Sequence, residues 1–292
     1  MNVTLPNDMD LLPPSYDSIF KTLLTHPDAK PALISIASAI ILRKVTDVVV
    51  RNNELPVMDM EEKGERFDVN CVVDDGDQVD IEMHGSRIEE PIHGEHVSLL
   101  NKSIYYLTDL HSSQKSKGVK YANLVRTYQA TFCNYTVYPN HPDYITRASL
   151  RRENGEQVSD QINLVLVELS KLAHILKKPT HELTDLEAWS IFLQYAPDIQ
   201  KRALVNRIIQ ERGEIAVAGA LLMEISQDER ERAKLRSRRM YETEQISNWL
   251  TAVDRERTLA LKTVALNMKI DGDSFEKIAR NTGLSVSEVE KL

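Results

Sequence analysis

Residues 66–84, RFDVNCVVDDGDQVDIEMH, alternate apolar and polar side chains on both sides of Asp74-Asp75-Gly76. A period of two is that of a β-strand with one buried face, and a central turn makes the stretch a hairpin. Phe67, Val69, Cys71 and Val73 line one face of the first strand, and Val79, Ile81 and Met83 line the same face of the second. The register must set apolar against apolar, because a slip of one residue turns every side chain to the opposite face. A three-residue loop of Asp74, Asp75 and Gly76, with Gly76 in the left-handed region, satisfies this. It predicts Val69 opposite Ile81, Phe67 opposite Met83 and Cys71 opposite Val79.

The same register fixes the other face: Asn70 opposite Asp80, Asp68 opposite Glu82, Arg66 opposite His84. Two carboxylates directly across a strand pair have Cβ atoms roughly 5 Å apart, and like charges there are destabilising unless something compensates. A divalent cation compensates naturally, since hard cations take oxygen ligands. The competing reading is a solvated polar face on which Arg66 neutralises one acid.

Composition bounds the rest. The 292 residues carry 42% hydrophobic and 27% charged side chains, as expected of a soluble globular protein. The longest apolar stretch, residues 33–42, is far short of the roughly 20 residues that span a bilayer. The N-terminus lacks a basic region followed by an apolar run, so no secretory signal is expected. Two cysteines, Cys71 and Cys133, make neither a disulfide framework nor a zinc pattern, and point to a reducing, cytoplasmic setting. The net charge of −8 argues against a passive nucleic-acid coat protein but leaves room for an enzyme with a local basic stripe.

Along the chain, residues 1–14 read as a loose arm ending at Pro13-Pro14. Residues 17–25 read as a short helix with Phe20, Leu23 and Leu24 on one face and Ser15 as its cap. Residues 30–43 predict a buried helix and 46–54 a strand. After the hairpin, 94–116 predict a helix carrying Lys102, Tyr105 and Tyr106. Residues 126–138, 144–153 and 162–169 predict strands, and the chain turns helical from about residue 184. The charge-rich stretch 228–239 predicts a solvated helix.

These pieces resemble the Rpn-type recombination-promoting nucleases, a group of transposase-like members of the PD-(D/E)XK nuclease superfamily. The resemblance runs from Asp17 to at least Tyr138. It rests on Asp17-Ser18-Ile19-Phe20-Lys21, similar to an early D-x-x-F-K signature, and on Arg66-Phe67-Asp68-Val69, similar to an R-x-D-V strand. Asp80-Ile81-Glu82-Met83-His84 stands where the family has E-x-Q, and Asn101-Lys102-Ser103-Ile104-Tyr105-Tyr106 resembles a basic residue before a tyrosine pair. His84 is the departure, since the superfamily commonly has Lys there and this branch Gln.

The resemblance implies an α/β fold, a mixed restriction-endonuclease-like sheet flanked by helices, followed by a helical C-terminal region. It implies a metal-dependent DNA endonuclease linked to recombination or mobile elements, with Mg²⁺, or alternatively Mn²⁺ or Ca²⁺, held by Asp68, Glu82 and the backbone carbonyl of Met83. His84 would orient the attacking water or complete the metal shell. Asp17 is the candidate further acid from the first helix, against a structural role at the helix start. Lys21 and Lys102 are candidate DNA contacts; the competing readings are a Lys21–Asp17 pair and a surface lysine beside packing tyrosines. Lys115, Lys117 and Lys120 form a basic patch read as a solvated loop, and His93 and His96 read as surface residues.

Residues 258–292 predict a helix followed by a helix-turn-helix-like pair, with Ser274 and Ser285 as caps and Gly283 at the turn. The last helix is short and carries Glu288 and Glu290, which would repel a phosphate backbone. A packing or dimerisation element, and so a homo-oligomer through these helices, fits better than base reading. The expected organisation is a nuclease-like domain over 1–175, a helical extension over 176–254 and the C-terminal segment over 255–292. A catalytically inactive homologue that binds DNA or protein stands as the alternative function. A transcription factor is a third reading, which the missing basic face on the last helix disfavours.

Overall fold

In the computed structural model, which describes residues 3–51, 68–74, 76–85, 97–114 and 120–292, six strands form one sheet in the order β1-β2-β3-β4-β6-β5. The strands are β1 (Val48–Val50), β2 (Val69–Val73), β3 (Gln78–His84), β4 (Thr127–Cys133), β5 (Ile145–Arg151) and β6 (Gln157–Glu168). β3 pairs parallel with β4, and β4 parallel with β6; the remaining pairs are antiparallel, so the sheet is mixed. The hairpin register is the expected one: Val69 faces Ile81, Asn70 faces Asp80 and Cys71 faces Val79. The turn closes through Val73 N–H to Asp77 O at 3.0 Å, and Gly76 sits at φ +90° where a side chain would be strained. Arg66 and Phe67 lie outside the described residues.

The alternation along the strands divides the sheet into two unlike faces. Val69, Val79, Ile81, Met83, Ala130, Phe132, Val165 and Val167 point into the main core. Against them pack α1 (Asp17–Leu24), α2 (Lys30–Ile41), α4 (Asp185–Tyr195), α5 (Arg202–Glu211) and α6 (Gly213–Gln227). α1 buries Ile19, Phe20, Leu23 and Leu24, one continuous stripe at helical spacing. α4 starts on a capping box between Thr184 and Glu187 and buries Trp189 and Phe192 edge to face. The other sheet face is roofed by α3 (Val97–Ser113).

Two expectations about the N-terminus are corrected. The first residues are not a loose arm: Leu5, Leu11 and Leu12 are buried in the main core. Asn206 clamps the Leu5 backbone from both sides, accepting its N–H at 2.8 Å and donating to its carbonyl at 3.0 Å, and Ser226 Oγ accepts the Leu12 N–H at 2.9 Å. Buried Arg202 donates to the Pro6 carbonyl. Three leucines spaced among polar residues and prolines suffice to anchor an irregular segment that has no period of its own. Nor does Ser15 cap α1. The N-cap is Tyr16, and the Asp17 carboxylate instead accepts the Ser18 N–H at 2.6 Å.

The chain forms two units, Met1–Leu235 and Arg236–Leu292. In the first, α1, α2, α4, α5 and α6 share the core on one face of the sheet. The second contains most of α7 (Glu229–Ile270), with α8 (Phe275–Thr282) and α9 (Val286–Glu290). Ala265, Ile278 and Val289 form its small core. Ser274 caps α8, Gly283 ends it at φ +73°, and Ser285 caps α9, as the sequence predicts; Glu288 completes a capping box with Ser285. Among the described residues no helix is long and apolar enough to cross a membrane.

Candidate active site

Asp68 precedes β2 and Glu82 stands opposite it on β3, so each can reach the other strand's backbone. Asp68 N–H donates to Glu82 Oε1 at 2.9 Å, and Met83 N–H donates to Asp68 Oδ2 at 3.0 Å. The two carboxylates are thus held side by side by reciprocal backbone bonds, which fix their rotamers and set them against one another. Glu82 is 4% exposed. Burial pushes Asp68 up to about 8, the adjacent Glu82 charge pushes the same way, and the Met83 amide opposes. Glu82 is also raised, first by burial, against the opposing pull of the Asp68 amide, Lys102 and Lys21.

The face that carries these acids is not solvated, which overturns the competing reading from sequence. Asn70, Asp80, Glu82, Thr127, Gln129 and Thr131 form a buried polar layer across β2, β3 and β4, with α3 packed over β3 and β4. α3 is stitched to that layer by Ser103 Oγ with Thr131 Oγ1 at 3.0 Å, His111 Nδ1 with Thr127 Oγ1 at 3.0 Å, and Gln114 Nε2 to Thr127 Oγ1 at 2.9 Å. The alternation Thr127, Gln129, Thr131 along β4 is the layer's visible signal in the sequence.

Asp80 is the least satisfied member. It is fully buried, and neither carboxylate oxygen has a hydrogen-bond partner among the described residues. Gln129, its register partner, lies beside it without closing a well-formed bond, and its own amide atoms are also unpartnered. Burial, reinforced by the Glu82 charge, drives the Asp80 carboxyl well above the usual range.

His84 ends β3 on the same face. Burial pulls its imidazole down to about 4, and the Lys102 charge adds to this. Lys102 reaches down from α3, with Nζ 3.1 Å from His84 Nε2, 4.0 Å from Glu82 Oε2 and 5.2 Å from the Tyr106 ring centroid. It is therefore not only a surface lysine beside tyrosines. Asp17 and Lys21, from α1, are close enough for their charges to act on the pair: Asp17 raises Asp68 and Lys21 lowers Glu82. Gly85 brings α1 in, since a Cβ there would stand 3.0 Å from the Ser15 carbonyl oxygen. Asp68, Glu82, the Met83 peptide, His84 and Lys102 thus converge. Lys120 is exposed, while His93, His96, Lys115 and Lys117 lie outside the described residues.

The donor chemistry fits a divalent cation. Two hard oxygen ligands are fixed in register, each disfavouring the other's charge, and a cation removes that conflict. Among the described residues no cluster of three or more His, Cys, Asp or Glu side chains has metal-holding geometry.

A mixed sheet with paired acids on adjacent central strands, roofed by a helix that delivers a lysine, defines a nuclease-type α/β fold. Residues 14–252 match the model of the PD-(D/E)XK nuclease family transposases, and the chain belongs to that family. No curated protein matches it, and no solved structure does.

Proposed function

We propose that this protein is a metal-dependent DNA endonuclease that hydrolyses phosphodiester bonds, and that its biological setting is recombination or mobile-element movement. Membership of a nuclease family supports the reaction class. The observation that carries the reading is the reciprocal brace between Asp68 and Glu82. Asp68, Glu82 and the Met83 carbonyl would hold the cation, Mg²⁺ or alternatively Mn²⁺ or Ca²⁺. When bound, it supplies charge neutralisation at the scissile phosphate and a lowered pKa for a water.

The chain's own groups do the positioning. The backbone amides of Asp68 and Met83 hold the two carboxylates, α3 covers the polar layer beneath them, and Lys21 and Lys102 bring positive charge toward a phosphate. Asp17 stands in reserve on α1 as a further acid. In hydrolysis a water oxygen bonds to phosphorus, the bond from phosphorus to the leaving sugar oxygen breaks, the water's proton passes to solvent, and the leaving oxygen takes one up. Self-association through the C-terminal helices is part of the same proposal.

The test is incubation of the purified protein with supercoiled plasmid, with and without each cation. Metal-dependent nicking or linearisation supports the reading. A folded protein that cuts under none of these conditions points to the second reading, a non-catalytic relative that binds DNA or protein. The neutral ring at His84, where the superfamily has a lysine, is what favours that alternative.

A further inference from the structure

His84 supplies no permanent charge, yet the centre does not lack a cation. Lys102 Nζ lies 3.1 Å from His84 Nε2 and 4.0 Å from Glu82 Oε2. An ammonium has three donors and no acceptor. His84 Nε2 must therefore accept, which leaves the ring neutral with its proton on Nδ1. The next residue of α3, Ser103, bonds Thr131, the register partner of Glu82. That bond fixes the height and rotation of the helix at the point where Lys102 descends. The Tyr106 ring, one turn further on, lies against the ammonium.

The geometry points to Lys102 as the catalytic cation of this centre, delivered by the roofing helix instead of the strand, with His84 as the positioning residue that aims it. This rests on the nuclease reading above. Lys102 donates to the attacking water or to a non-bridging phosphate oxygen, so negative charge that develops at phosphorus meets a fixed donor. His84 touches no reacting atom; its lone pair holds the ammonium beside Glu82. A lysine at position 84 would bring the same charge from the other side, so the two arrangements are interchangeable in principle.

The experiment is cleavage of duplex DNA with kcat and KM separated. Lys102→Ala should lower kcat by about 100-fold or more, the scale of losing one fixed donor to a developing charge, with little change in DNA affinity. The double variant Lys102→Ala with His84→Lys should recover most of that loss. His84→Gln, which keeps an acceptor for Lys102, should remain active, and His84→Ala should not. A Lys102→Ala effect confined to DNA affinity, or a double variant no better than Lys102→Ala alone, overturns the proposal.

A second readout needs no activity. In the ¹⁵N spectrum of the metal-free protein, His84 should be the Nδ1–H tautomer with Nε2 as acceptor, and Lys102→Ala should shift the Nε2 resonance. A protonated Nε2 in the wild type removes the contact on which the proposal stands. Wild-type protein that cuts no DNA sinks the nuclease reading and the catalytic role with it, while the ring resonance still decides whether His84 holds Lys102.

Discussion

Asp68 and Glu82 are bound to each other's strand, Asp68 N–H to Glu82 Oε1 at 2.9 Å and Met83 N–H to Asp68 Oδ2 at 3.0 Å, so neither carboxylate can swing away from the charge of the other. The metal-free protein carries this repulsion in its folded state, which makes it measurable as stability.

Asp68 has a folded-state pKa of about 8 against 3.8 unfolded. Between these values the folded state binds a proton that the unfolded state has released, so stability falls as pH rises. His84 acts in the opposite direction only between about 4 and 6.5. From pH 6.5 to 8 the raised carboxyls govern, Asp68 together with Asp80 and Glu82, all in the same direction. Urea denaturation of the metal-free protein should show stability decreasing across that window, and Asp68→Asn, which keeps an acceptor for the Met83 amide, should make the decrease shallower and exceed the wild type at pH 8. A wild-type stability that rises across the window contradicts the assignment.

A divalent cation displaces those protons and removes the repulsion. The rise in Tm on adding Mg²⁺ should therefore be larger at pH 8 than at pH 6 and absent in Asp68→Ala. With free ligand at 100 times its Kd, the expected stabilisation is about 2.7 kcal/mol. Thermal scans at the two pH values check this; an equal shift in the variant would place the cation elsewhere.

Asp80 is buried with both oxygens unpartnered beside the unpartnered Gln129 amide. Asparagine in its place can both donate to and accept from that amide. Asp80→Asn should stabilise the metal-free protein, by about 1–3 kcal/mol at neutral pH, the range for satisfying a buried polar group. Chemical denaturation reads the sign, and a loss of stability would mean that the charged carboxylate has a partner in solution.

Gly85 approaches the Ser15 carbonyl so closely that a methyl there meets backbone at 3.0 Å. Gly85→Ala should push the start of α1, and Asp17 with it, away from the strand, at a cost of about 1–3 kcal/mol for an overpacked site. Denaturation should show the stability loss, and plasmid cleavage should show a loss of activity although no functional group is removed. Unchanged stability would show that α1 has room to adjust.

The hairpin and its register are legible because both strands carry a period of two, broken only at Val72, and the turn has a single glycine in the right place. That period sets Asp68 opposite Glu82 with His84 on the same face; their reading as a site rests on the family resemblance as well. The polar layer under α3 is not legible in the sequence, although Thr127, Gln129 and Thr131 alternate plainly, because such a face looks the same whether water or a helix covers it. The Lys102–His84 contact depends on how α3 docks, which no local pattern sets. The N-terminal arm was misread for a related reason: Leu5, Leu11 and Leu12 are anchored by Asn206 and Ser226, some two hundred residues away in the chain.

The central claim is tested most directly by cleavage of supercoiled plasmid at pH 8 with Mg²⁺, comparing wild type with Asp68→Asn and Glu82→Gln after each variant is shown to be folded. Both substitutions preserve shape and one oxygen acceptor, and remove the charge and the second acceptor oxygen. The account predicts metal-dependent nicking by the wild type and a fall of at least about 100-fold in each variant, the scale of losing a fixed electrostatic partner of the reaction. Cutting that survives both substitutions would contradict a clamp built from Asp68 and Glu82.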